Sequence, residues 1–445
     1  MRCARAADAE AVSQPPRPAA ARRPALLWAG AVALAVAVSA AVAIASGVGL
    51  DYLAPGCVLQ RCDDPGYSIE ALGRLDFSTF FLQQPPMGSF SLLVRAPFAR
   101  IGGLLGSGDL WAYRFGAFVC VLAAALLAVY LARVMARRGR SWMPCVLVPA
   151  AVVVNPLAYQ ALDYGHPEEI LGAALSVAAV LAAGRRRVLV GGLLLGAALA
   201  TKQWALLAAV PVLVAAPVAG RLRLGLTATA VVAALTLPML AGNPQHFAAA
   251  QQRVSVSDAF EHAVTASNVW WPFSTASSGM ATTSNGRQER VVQYSLPAGV
   301  GRLTHPLVAV VGIALALLYA RRRRGADPEE ALQLLALVLL LRCVLDPLTY
   351  SYHHEPFLVA LLAYEGLRRR VPVLSACAIA AIVAMNEIVA PTRDATFINA
   401  FYLAWTLLLA GVLALGVFAP ERLRRLAGGR IAAPAGPARP AATSP

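Results

Sequence analysis

Four short stretches hold the residues that could do chemistry. The first reads Cys62-Asp63-Asp64-Pro65-Gly66-Tyr67-Ser68-Ile69-Glu70, followed past Asp76 by Gln83-Gln84-Pro85-Pro86-Met87-Gly88-Ser89-Phe90. A carboxylate in such a loop can act as a general base, or hold a sugar or a metal. Asp-Pro-Gly is also a strong turn former, so an ordinary polar turn accounts for the same residues. The second stretch is Asn155-Pro156 and then Asp163-Tyr164-Gly165-His166-Pro167-Glu168-Glu169. Its imidazole and carboxylates could bind sugar hydroxyls or a divalent cation. A zinc site would need three or four convergent ligands, which a His/Glu pair does not supply.

The third stretch runs Gly192-Leu193-Leu194-Leu195-Gly196-Ala197-Ala198-Leu199-Ala200-Thr201-Lys202-Gln203-Trp204, and Lys202 is the sole lysine of the chain. The glycines permit close helix packing. A lysine at membrane level is costly unless it pairs or reaches the interface, which makes it a candidate for a lipid-linked phosphate. A snorkelling lysine beside an anchoring Trp204 is the plainer alternative. The fourth stretch, Tyr350-Ser351-Tyr352-His353-His354-Glu355, follows Asp346-Pro347. It suits a sugar or phosphate headgroup, or equally an interfacial aromatic belt. Asn268, Trp270 and Trp271 could stack on a sugar ring or anchor at the interface. Arg253, Arg287, Arg290 and Arg302 are further candidates for phosphate contact.

The elements that must position these residues are set by composition. Of 445 residues, 58% are hydrophobic and 14% charged, and mean hydropathy is +0.63. Soluble domains carry about 25% charged residues, so a cytosolic enzyme, a disordered chain and a small secreted scaffold are excluded. Apolar blocks separated by short polar clusters predict a polytopic all-α membrane protein. Candidate spans lie near 25–50, 110–132, 143–162, 170–183, 188–200, 204–219, 224–241, 303–320, 331–345, 356–367, 371–389 and 398–418. The net charge of +15 comes almost entirely from arginine. Arginine runs at 137–138, 185–187, 321–324, 368–370 and 422–425 sit at the ends of apolar blocks. Twelve crossings with a cytoplasmic N-terminus place every run inside, as the positive-inside rule requires. A nucleic-acid surface would need a contiguous basic face, and none is apparent.

The domain reading is then a disordered cytoplasmic tail over 1–24, a membrane domain over 25–425, and a second disordered cytoplasmic tail over 426–445. Within the membrane domain, 51–109 and 242–302 are the two long outer loops. The first span could instead belong to a cleaved signal peptide, but its length favours an uncleaved helix. Residues 92–98 suit a helix lying at the interface. Cys120, Cys145, Cys343 and Cys377 are expected to be small buried hydrophobes. Cys57 and Cys62 could form a disulfide in an oxidising compartment.

An acidic outer loop with Tyr67, followed by the Pro85-Pro86-Met87 segment, resembles the GT-C superfamily of membrane glycosyltransferases. The likeness is to the protein mannosyltransferase and aminoarabinose transferase branch and to actinobacterial polyprenyl-phosphomannose-dependent mannosyltransferases. The Gly-rich stretch ending in Thr201-Lys202, and Asn155-Pro156 followed by Gly165-His166-Pro167-Glu168, are similar to segments of the same superfamily. The resemblance implies a catalytic base at Asp63, with Asp64 beside it and Asp51 a rival. It also implies substrate contacts at Tyr67 and at Gln84, where a Lys is common. With Lys202, His166, Glu168, Glu169, His353, His354 and Glu355 these form the expected site.

The implied partners are a polyprenyl-phosphate sugar donor, a lipid or glycan acceptor and the bilayer, with no nucleic acid. The implied location is the cell membrane, with the active site outside. Most of the resembled branches need no metal, although oligosaccharyltransferases do. Substrate contacts are therefore expected, with a divalent cation as the alternative and no other cofactor. A transporter or lipid flippase is the competing class, since those proteins place ionisable groups near the bilayer midplane. A non-catalytic assembly partner is a third.

Overall fold

A computed structural model of the chain describes residues 18–46, 66–82, 88–105, 109–256, 263–282, 288–322, 327–368 and 371–426. The elements run α1 (Pro18–Ala45), α2 (Gly66–Gly73), α3 (Phe77–Leu82), α4 (Ser89–Leu105), α5 (Asp109–Arg137), α6 (Trp142–Val153), α7 (Pro156–Asp163), α8 (Pro167–Gly184) and α9 (Val188–Leu199). A 3₁₀ turn (Gln203–Ala205) leads into α10 (Leu206–Ala215), α11 (Val218–Gly242) and α12 (Pro244–Val256). Strands β1 (Thr275–Thr282) and β2 (Gln288–Ser295) precede α13 (Ala298–Arg322) and α14 (Pro328–Leu345). After a 3₁₀ turn (Ser351–His354) come α15 (Glu355–Arg368), α16 (Val373–Ala384), a π-helical turn (Met385–Val389), α17 (Ala395–Phe418) and α18 (Pro420–Leu426).

This is a polytopic helical membrane protein. Among the described residues, seven helical segments are long and apolar enough to cross a bilayer: Leu27–Ala45, Leu110–Arg137, Trp142–Asp163, Pro167–Gly184, Val218–Gly242, Leu303–Arg322 and Ala395–Phe418. Of the other apolar blocks, 188–200, 204–219, 356–367 and 371–389 form shorter helices, and α14 carries Glu329, Glu330 and Arg342, so length and composition do not by themselves supply the twelve crossings expected from hydropathy. The 143–162 block is broken because Asn155 caps α7, its Oδ1 accepting from Leu157 N at 2.9 Å and Ala158 N at 3.0 Å, with Pro156 at the first helical position.

The core is centred on α8, which packs against α5, α9, α10, α14 and α15. Helices α8, α14 and α15 are apolar on nearly every face and are buried on nearly every face. The peripheral helices α11 and α13 turn large apolar side chains outward, Leu222 and Leu303 among them, as lipid-facing helices must. Gly192 and Gly196 bring α9 against α11. A Cβ at Gly196 would fall 2.6 Å from Val231 Cβ.

Three boundaries differ from the sequence reading. Residues 18–24, assigned to the tail, begin α1. The first outer loop holds α2, α3 and α4, and the helix expected over 92–98 is part of the longer α4. It packs along α5 with Leu92 and Arg95 fully buried. The second outer loop holds α12 and an antiparallel hairpin, Ala276 facing Tyr294 and Met280 facing Arg290. Cys120 and Cys343 are buried as expected, whereas Cys145 is half-buried and Cys377 exposed. Cys57 and Cys62 lie outside the described residues.

Candidate functional site

The first turn of α8 carries the site. Gly165 takes φ +83°, a left-handed conformation that glycine adopts without penalty, and so turns the chain sharply into the helix. His166 then occupies the N-cap position, and Pro167, Glu168 and Glu169 start the helix. Acidic groups in a first turn complement the partial positive charge of a helix N-terminus. Both carboxylates are buried: Glu168 is 0% and Glu169 1% exposed.

Basic groups from three other elements surround them. Lys202 follows the end of α9, and its Nζ lies 3.0 Å from Glu168 Oε1 and 3.6 Å from Glu169 Oε1. Arg95 of α4 approaches Glu168 Oε2 at 3.8 Å, and Arg342 of α14 approaches Glu169 Oε2 at 3.6 Å. His166 Nδ1 donates to Glu168 Oε1 at 3.0 Å. Arg342 also lies over the Trp204 ring, 5.3 Å from its centroid, and donates to the His353 carbonyl at 3.4 Å. Three guanidinium or ammonium cations thus face two carboxylates. An arrangement with surplus positive charge can hold an anionic group.

An aromatic ladder leads out from this cluster. Tyr352 stacks on His166 with centroids 4.7 Å apart and planes 20° apart. On its other sides Tyr352 stacks with Tyr350 at 5.9 Å and Tyr164 at 5.7 Å, and both of those tyrosines are exposed. His353 meets Tyr352 edge-on at 4.5 Å. Burial and the nearby Arg342 cation hold the His353 pKa well below the ordinary histidine value. Burial likewise pushes His354 down to about 4. His354 Nδ1 lies 3.0 Å from the Ser351 carbonyl, which can only accept, so Nδ1 carries the proton. Nε2 then accepts from the Tyr402 hydroxyl at 3.0 Å. Glu355 stands apart from the cations, its Oε1 accepting from Asn155 Nδ2 at 3.2 Å.

The chain entering α4 at Gly88 is tied to the lysine turn. Gly88 N donates to Thr201 O at 3.3 Å and Phe90 N to Ala200 O at 2.8 Å. A Cβ on Gly88 would lie 2.0 Å from the Ala200 carbonyl oxygen, so only glycine allows this approach. The chain directly after the acidic loop is tied to the same region. Ile69 and Leu72 of α2 pack with Leu92 and Ala96 of α4, the helix that bears Arg95.

The structure brings together His166, Glu168, Glu169, Lys202, His353, His354 and Glu355 from the expected site. Asp63, Asp64 and Gln84 lie outside the described residues, as do Asp51 and the side chains of Tyr67, Arg253, Arg287, Arg290 and Arg302. Asn268, Trp270 and Trp271 lie apart from the cation cluster, in a turn tied to the end of α14, with both Trp rings half-buried. Asn268 is fully buried and accepts from Trp270 N and Trp271 N at 2.9 and 3.1 Å, and Trp270 Nε1 donates to Leu345 O at 2.6 Å. Arg95 and Arg342 were missed. Each is a lone arginine inside an apolar run, away from every arginine cluster, and that isolation was the available signal. Among the described residues, no group of three or more His, Cys, Asp and Glu converges as metal ligands would.

Fold and site together define a polytopic membrane protein with a buried, net-positive charge cluster at one end of its helices. The chain belongs to glycosyltransferase family 87, whose model matches residues 85–347, more than half of its length. That family is one of glycosyltransferases, the class that the resemblance to the GT-C enzymes implied. The matched segment holds Arg95, His166, Glu168, Glu169, Lys202 and Arg342. It begins after Gln84 and ends before Tyr350. Among solved structures, the archaeal oligosaccharyltransferase AglB from Archaeoglobus fulgidus, in complex with an inhibitory peptide and a dolichol-phosphate, is similar at 15% identity and a TM-score of 0.40. That similarity covers 87% of this chain and 55% of AglB, so this chain spans about half of its length. No curated protein matches the sequence.

Proposed function

We propose that this glycosyltransferase moves a sugar, mannose or another pyranose or pentose, from a polyprenyl-phosphate carrier to a lipid or glycan of the cell envelope. The reaction takes place at the outer face of the cell membrane, with both termini in the cytoplasm. The observation that carries this reading is the buried set of Lys202, Arg95 and Arg342 around Glu168 and Glu169, with its surplus of positive charge. It lies at the end of α8 remote from the arginine runs. At the opposite end Arg138 pairs with Glu329, and Arg368 lies 3.9 Å from Glu330. The positive-inside rule puts that arginine end in the cytoplasm and the buried cluster outside.

In the proposed reaction the acceptor hydroxyl oxygen attacks C1 of the sugar in line with the departing phosphate oxygen. A C1–O bond to the acceptor forms as the C1–O bond to the lipid phosphate breaks, and the configuration at C1 inverts. Asp63, with Asp64 beside it, takes the hydroxyl proton. The leaving phosphate takes the bonding electron pair, and Lys202 with Arg342 stabilises its growing charge. Glu168 and Glu169 hold those cations in place. His353, His354 and Glu355 back the aromatic ladder that contacts the sugar, and Tyr67 and Gln84 complete the substrate contacts. The test is transfer from a panel of radiolabelled polyprenyl-phosphate sugars in membranes containing the protein. Labelled product from one donor supports the reading. A labelled donor that crosses the bilayer intact would favour the transporter or flippase instead.

A further inference from the structure

Five arginines stand where α8 turns into α9 and where α10 turns into α11. Arg185 lies over the Tyr130 ring, 4.7 Å from its centroid, and donates to its hydroxyl. Arg221 donates to Ala216 O at 3.3 Å and to Val214 O at 3.4 Å, closing the end of α10. The other three, Arg186, Arg187 and Arg223, line one open cavity of about 540 Å³. Its remaining walls are the apolar first turns of α9 and α11, and no acidic side chain lines it.

The backbone adds to this charge. Helix α9 begins at Val188 and α11 at Val218, and both first turns face the cavity, each adding partial positive charge. The two starts nearly touch, since a Cβ on Gly220 would come 2.7 Å from Val188 Cγ2. Arg186 is held at φ +62°, a conformation uncommon for any residue but glycine. Leu189 in the cavity wall on α9, and Leu222 and Leu226 on the membrane-crossing α11, are 61%, 73% and 61% exposed. A ligand seated here meets three guanidinium groups at its head and an apolar face along its length.

We propose that this cavity binds an anionic phospholipid. The phosphodiester sits among Arg186, Arg187 and Arg223, and the acyl chains lie along Leu222 and Leu226 of α11. Basic pockets between membrane helices bind anionic headgroups by this combination of charge and apolar wall. The proposal rests on α11 crossing the bilayer and is independent of the catalytic reading.

The test is a binding titration of the full-length protein in neutral detergent micelles, followed by native mass spectrometry. The probes are phosphatidylglycerol, phosphatidylcholine and inorganic phosphate. Phosphatidylglycerol is expected to bind more tightly than phosphatidylcholine. At about fivefold per arginine, R187Q and R223Q should each weaken phosphatidylglycerol by that factor, and the triple variant with R186Q by about a hundredfold. R185Q should leave binding unchanged, because Arg185 is held on Tyr130. Melting temperatures in phosphatidylcholine report folding, and the single variants decide the question if the triple variant does not fold. Equal binding of the two lipids, wild-type affinity in R187Q and R223Q, or displacement of phosphatidylglycerol by millimolar inorganic phosphate would each overturn the proposal.

Discussion

Lys202 Nζ stands 3.0 Å from Glu168 Oε1, inside a bundle where Glu168 is wholly shielded from solvent. The two residues come from different helical segments, one after the end of α9 and one in the first turn of α8. Their meeting depends on α8 and α9 running antiparallel, joined by the tight turn at Arg185 to Arg187. Burying two opposite charges is costly in itself, but removing one partner costs more, because the other remains buried and uncompensated. The pair is accordingly a sensitive point for both folding and chemistry.

Lys202→Met is expected to destabilise the protein by about 3 kcal/mol, the usual cost of breaking a buried ion pair. It should also slow sugar transfer by about a hundredfold, as losing a charge-stabilising donor does. Thermal unfolding in detergent and initial transfer rates check both. Adding Glu168→Gln should recover part of the stability and none of the rate, because the carboxylate charge that Lys202 balanced is gone while the phosphate still lacks its cation.

Acid should destabilise the fold through the two neighbouring histidines. His353 and His354 stay neutral in the folded protein, held below the ordinary histidine pKa of 6.5 by burial, with His354 at about 4. An unfolded chain takes up those protons near pH 6.5 while the folded chain does not. Stability therefore falls as pH drops from 6.5 towards 4. Melting temperatures across that range should fall less steeply in His354→Gln than in the wild type. Tyr402→Phe removes the hydroxyl that donates to His354 Nε2 and should cost about 1 kcal/mol.

Gly196→Ala should weaken the contact between α9 and α11. The added methyl would meet Val231 Cβ at 2.6 Å and the Ala228 carbonyl at 2.8 Å, on backbone that cannot yield easily. Overpacking of this kind costs about 1–3 kcal/mol. Gly225→Ala on α11, where the added methyl meets nothing within 4 Å, is the control and should melt as the wild type does.

The sequence made the membrane fold and half of the site legible for a simple reason. Hydropathy and isolated polar residues are local signals, and they marked His166, Glu168, Glu169, Lys202 and the Tyr350-to-Glu355 stretch. Arg95 and Arg342 escaped because each lies within an apolar run that hydropathy averages away, and their meaning appears only when α4 and α14 pack beside α8. The β1–β2 hairpin escaped because β1, Thr-Ala-Ser-Ser-Gly-Met-Ala-Thr, has little alternation to betray a strand. Trp270 reads by type alone as a sugar platform or an interface anchor, and nothing local shows that its indole N–H donates to the Leu345 carbonyl. That partner lies at the far end of α14, beyond any local pattern.

The central claim is that Asp63, or Asp64 beside it, removes the acceptor proton while the buried cations hold the lipid phosphate. The most direct measurement is the sugar-transfer rate of Asp63→Asn and Asp64→Asn, each normalised to protein abundance in the membrane. The account predicts that one of the two loses transfer by about a thousandfold, within the general-base range, while its abundance and melting temperature stay at wild-type values. Transfer that survives in both variants at the wild-type rate would contradict it and move the base to Asp51.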